Sequence, residues 1–102
     1  PLVKGFELAG STPLVLFNEP MLISTGTNSD IRYNFFYPRW AYDAYRPALA
    51  GEAASRGWYY LDLWNRVPES EFTNSAIHLT PTGEQLLADQ LAETIQEVPG
   101  CP

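Results

Sequence analysis

The chain has one cysteine, one histidine and one methionine in 102 residues. Cys101 stands alone beside the last residue, so no internal disulfide can form and no thiolate cage can hold a metal. His78 is the sole imidazole, which argues against a zinc site built from protein ligands, and no metal is expected. Basic residues are also scarce, 6 against 12 acidic ones, for a net charge of −6. Lys4, Arg32, Arg39, Arg46, Arg56 and Arg66 are scattered singly. Affinity for phosphate backbones grows with clustered cations, so neither nucleic acid nor an anionic membrane surface is an expected partner. No apolar run approaches the roughly 20 residues of a membrane span. Residues 1–6, Pro-Leu-Val-Lys-Gly-Phe, lack the charged start and long apolar centre of a signal peptide, and no cellular compartment is indicated.

What is present suits a folded α/β domain. Hydrophobic residues make up 45% and aromatics 14%, enough for a core and too many for a disordered chain. The length suits one domain, and a start at Pro1 without Met reads as part of something longer, so residues 1–102 are expected to form a single partial domain. Leu14-Val15-Leu16-Phe17, an apolar run between breaker-rich segments, reads as a strand buried on both faces. Trp58-Tyr59-Tyr60-Leu61-Asp62-Leu63, opening after Gly57, reads as a second strand. Between them Tyr42, Tyr45, Leu49 and Ala53 recur at helical spacing, with Gly57 suited to the cap. Pro47 either bends this helix or starts a second one. Thr80-Pro81 caps and opens a last helix carrying Leu87, Leu91, Ile95 and Val98, which Pro99-Gly100 stops. Residues 2–9 read as the end of a further helix.

Strand, helix, strand, helix is the order of a parallel sheet with crossover connections. Two parallel strands leave two open edges, and sheets of this kind are stable inside wider, doubly covered ones. Further strands are therefore expected from elsewhere: an amino-terminal half, a second chain or an exchanged copy.

The segment richest in chemistry precedes the last helix: Phe72-Thr73-Asn74-Ser75-Ala76-Ile77-His78-Leu79-Thr80-Pro81-Thr82-Gly83. A loop imidazole fixed by a capped helix is placed to take and return protons near neutrality. His78, Leu79, Thr80 and Gly83, after a strand ending in Leu-Asp-Leu, resemble the last conserved block of the SGNH (GDSL) serine hydrolases, commonly Asp-x-x-His-Leu-(Thr/Asn)-x-x-Gly. The order of elements from about residue 11 to 98 is also similar. The resemblance implies a three-layer α/β/α sandwich of flavodoxin-like type with parallel strands. It further implies acyl transfer through an upstream serine in a Gly-Asp-Ser motif, with His78 as general base and no cofactor. The implied substrate is an ester of a small molecule, a lipid or an acetylated sugar.

The chain departs from that pattern in two respects. It contains no Gly-Asp-Ser, no Gly-x-Ser-x-Gly elbow and no Gly-x-Asn block, so nucleophile and oxyanion donors are expected outside it. The aspartate three residues before the histidine is replaced by Ser75, which leaves Asn74 or Asp62 to orient His78, or a site without catalysis. Tyr33, Phe35, Phe36, Tyr37, Trp40, Tyr42 and Tyr45 suit either a sugar or acyl groove or packing of the long loop, and packing is the expected role. Asn28, Arg32 and Tyr33, after the first strand, are candidate substrate contacts, Arg32 for a carboxylate or phosphate. The alternative to an enzyme is a non-catalytic α/β module that binds carbohydrate or completes its sheet with another chain.

Overall fold

The computed structural model describes residues 1–100, and Cys101 lies outside the described residues. The element order is α1 (Leu2–Ala9), β1 (Val15–Asn18), α2 (Arg39–Arg56), β2 (Tyr59–Asp62), a 3-10 turn (Glu69–Glu71) and α3 (Pro81–Glu97). β1 and β2 form a parallel pair in which Val15 stands opposite Tyr59 and Asn18 opposite Asp62. The chain is thus a mixed α/β structure with a two-stranded parallel sheet and three α-helices.

Local chemistry accounts for the helix ends. α2 runs unbroken for 18 residues with Pro47 inside it, so this proline neither starts a second helix nor ends the first. Gly57 adopts the left-handed conformation, φ 67° and ψ 30°, and donates its N–H to Ala54 O, while Trp58 N–H reaches back to Ala53 O. These two bonds make a Schellman cap, a geometry that glycine adopts without a Cβ clash. At the start of α3 the Thr80 hydroxyl accepts from Gly83 N–H at 3.1 Å, with Pro81 in the first turn where its missing donor costs nothing. α1 is tied down by Phe6, whose ring stacks on Trp58 at 4.0 Å and 6°.

The expectation of a strand buried on both faces needs correction. No residue of β1 or β2 is fully buried. The physical reason is coverage: two strands with α2 against β2 cannot shield both faces of the sheet. The centre of packing lies instead beyond the carboxyl ends of the strands, where Met21, Tyr33 and Tyr42 form a core cluster flanked by Ile23, Tyr37 and Trp64. Asn34, 3% exposed, organises the long connection there by donating to Leu22 O at 2.9 Å and accepting from Phe36 N–H at 2.9 Å. The molecule measures 46 × 29 × 18 Å with a radius of gyration of 15.3 Å, against about 12.8 Å for a compact domain of this length. Among the described residues no helix is long and apolar enough to cross a membrane.

Candidate functional site

His78 sits on a short loop closed at its base by an antiparallel bridge between Phe72 and Leu79. Thr73 pins the loop twice, its N–H at 2.9 Å and its hydroxyl at 3.2 Å donating to His78 O. Ser75, three residues before His78, accepts from the backbone N–H groups of Ile77 and His78 at 3.2 and 2.9 Å, a local turn that its hydroxyl closes. Leu22 N–H donates to Ala76 O at 2.8 Å, which ties this loop to the segment following β1. Behind the loop, Thr80 N–H donates to Glu71 O at 2.8 Å, and the Thr80 hydroxyl donates to the Glu71 carboxylate.

Gly83 explains the spacing of the histidine block. A Cβ at this position would lie 2.9 Å from Glu71 O and 3.2 Å from Leu79 Cβ, so the first turn of α3 approaches the 3-10 turn as closely as a glycine permits. His78, Leu79, Thr80 and Gly83 therefore form one mechanical unit: a loop, a cap, and a helix that can close on both.

His78 lines a hollow of about 470 Å³ together with Glu19, Pro20, Ile77, Glu84 and Leu87, among others. Glu19 and Pro20 directly follow β1, so the hollow lies beyond the carboxyl end of a parallel strand, where open α/β sheets place their sites. Two glutamates thus border the same hollow as the imidazole residue, without an ion pair to it among the described residues. No serine, threonine or cysteine side chain lines it among the described residues. Such a site can move a proton, and it has no hydroxyl or thiol nucleophile of its own.

The two residues expected to orient His78 do not bond its ring. Asp62 accepts from Asn18 Nδ2 at 3.0 Å on one oxygen and from Arg46 Nε at 3.1 Å on the other. Asn18 Nδ2 also donates to Tyr42 Oη at 2.8 Å, and the Arg46 guanidinium stacks 3.9 Å from the Trp64 ring centroid. Asp62 is thereby part of the joint between the strand ends and α2. Asn74 Oδ1 accepts from the Thr73 hydroxyl at 3.4 Å. The glutamates in the hollow escaped the sequence reading because Glu19 is 59 residues from His78, and only the fold brings them together.

The three candidate substrate contacts do not gather at this hollow. Asn28 holds a left-handed conformation, φ 64°, and its carbonyl accepts from Ile31 and Arg32 N–H, so it forms a turn. Tyr33 is 5% exposed, its ring in the core and its hydroxyl donating to Asp43. Burial, with Asp43 as acceptor, raises its pKa above the ordinary value of 10. Arg32 borders a separate hollow of about 290 Å³ with Ser24 and Phe35. The aromatic segment divides likewise: Tyr33 and Tyr42 are buried, whereas Phe35, Phe36 and Trp40 are each more than 70% exposed.

A second hollow of about 480 Å³ adjoins the first and shares Glu19, Pro20 and Ile77 with it as a common wall. Its far side is built from Phe17 at the end of β1, Tyr37, and the Ala41, Tyr42 and Tyr45 face of α2. Among the described residues, no group of three or more His, Cys, Asp or Glu side chains stands close enough to hold a metal ion. No family model, no curated protein and no solved structure matches the chain.

Proposed function

We propose that the chain is the carboxy-terminal part of an ester hydrolase or acyltransferase of the SGNH type, in which His78 is the general base for a serine carried on other strands. The observation that carries this reading is the placement of His78: on a pinned loop, beyond the strand end, in a hollow with carboxylates and no hydroxyl. In this reading β1 and β2 belong to a three-layer α/β/α sandwich whose remaining strands come from another part of the polypeptide or a second chain. The incoming strand edge brings the serine and the oxyanion donors. His78 takes the serine proton as the hydroxyl attacks the ester carbonyl, and returns it to the leaving alcohol. Glu19 and Glu84 stabilise the imidazolium formed in between, the task an aspartate performs in the family block. No metal or organic cofactor takes part.

The test is turnover of a chromogenic acetate ester by the full-length protein and its His78→Gln variant. Loss of the base is expected to lower kcat about a hundred- to ten-thousandfold. Equal rates in the two proteins remove His78 from the mechanism. The second reading, a non-catalytic module of the same shape, is favoured by one observation: the His78 ring has no hydrogen-bond partner among the described residues. It predicts no ester turnover in the full-length protein at all.

A further inference from the structure

The hollow beside the His78 site has a composition that selects for charge. Phe17, Tyr37, Tyr42 and Tyr45 are among the residues that line it, and its one charged residue is Glu19, on the wall shared with the His78 hollow. The three tyrosines form a continuous array, Tyr37 and Tyr42 centred 5.2 Å apart and Tyr42 and Tyr45 5.8 Å apart. No lysine or arginine lines this hollow, and the nearby Arg46 is already bound to Asp62 and stacked on Trp64. Aromatic faces carry negative potential and attract cations, most of all weakly hydrated ones such as quaternary ammonium groups. An anion would meet the Glu19 carboxylate within a chain of net charge −6, whereas a cation is attracted by it. The volume of about 480 Å³ lies in the range of small-molecule sites.

From this we infer that the hollow lined by Glu19, Tyr37, Tyr42 and Tyr45 binds a compact organic cation of the quaternary ammonium class. Combined with the hydrolase reading, on which this clause rests, the substrate is an ester whose cationic end occupies the aromatic hollow. Its ester bond then lies across Ile77, on the His78 side. The ring faces hold the methyl groups, and the Glu19 carboxylate answers the charge from the shared wall.

Binding separates this inference from the hydrolase reading. The full-length protein is titrated with choline and, in parallel, with 3,3-dimethylbutan-1-ol, which replaces the cationic nitrogen by carbon at nearly constant shape. The readout is the indole NMR signal of Trp64, whose ring packs against Tyr42. Choline is expected to bind about three- to thirtyfold more tightly than its carbon isostere, the span that cation–π contacts supply. Glu19→Gln, at an exposed position, is expected to remove most of that preference. Ala41→Trp is expected to fill the hollow and abolish binding of both compounds, with Tyr45→Ala as the replacement should the larger side chain prevent folding. Equal or tighter binding of the isostere overturns the proposal, as does choline binding undiminished in both hollow variants, or no binding by a folded protein. Loss of ester turnover in His78→Gln bears on the hydrolase reading alone, since choline binding does not involve that ring.

Discussion

Asp62 illustrates how residue identity and residue role separate in this chain. Its two oxygens are occupied by Asn18 and Arg46, at a partly buried position where the ion pair is shielded from solvent. Asp62→Ala therefore leaves Arg46 without its carboxylate and Asn18 Nδ2 with Tyr42 Oη alone, and is expected to cost about 1–3 kcal/mol, read from the urea midpoint. A fall in kcat of the folded variant comparable to that of His78→Gln would return Asp62 to the catalytic machinery. Tyr60 makes a second prediction at this scale. Its hydroxyl is buried without a hydrogen-bond partner, and burial pushes its pKa up to about 12 from 10. The unfolded chain loses this proton near pH 10 while the folded chain keeps it, so stability is complete below about pH 10 and is lost as pH rises toward 12. Burial raises Tyr33 and Tyr42 in the same direction. Tyr60→Phe is expected to flatten the alkaline fall in thermal midpoint, and an unchanged slope would contradict the assignment. His78 and Gly83 were legible in the sequence because their block is contiguous. Glu19 was not legible as a neighbour of His78, nor were the bonds that Asp62 makes to Asn18 and Arg46, because both depend on approaches between distant segments.

Among the elements, the contact between α3 and the 3-10 turn sets the geometry of the site. Gly83→Ala drives a Cβ to 2.9 Å from the Glu71 carbonyl, backbone that cannot swing aside. It is expected to destabilise the protein by about 1–3 kcal/mol, as overpacking does, and to lower kcat by displacing the His78 loop. Gly51→Ala is the control: it lies within α2 with nothing within 4 Å of the added carbon, so a gain of about 0.5–1 kcal/mol is expected from helix propensity. A neutral or stabilising Gly83→Ala would contradict the close approach. The elements themselves were readable because their signals are local: a four-residue apolar run for β1, Gly57 for the end of α2, Thr80-Pro81 for the start of α3. The continuity of α2 through Pro47 and the pairing of Phe72 with Leu79 were not, since each is decided by what packs around it.

For the whole molecule the surface is the informative quantity. The chain exposes 6792 Å², whereas a compact monomer of its mass exposes about 5,800 Å². The excess, about 1,000 Å², exceeds the roughly 800 Å² that each partner buries in a standard interface. Leu8, Phe35, Phe36 and Trp40 are each more than 70% exposed, and every residue of both strands remains at least partly open to solvent. A parallel pair in that condition lacks the two covered faces such sheets require. The sequence alone pointed to two strands, and the structure adds how far they stay exposed. The direct measurement is the mass and unfolding behaviour of the 102-residue chain alone, by sedimentation and denaturant titration. An incomplete sheet predicts either particles of two or more chains or a gradual, non-cooperative transition. A monodisperse 11.4 kDa particle that unfolds in one sharp cooperative step would contradict it.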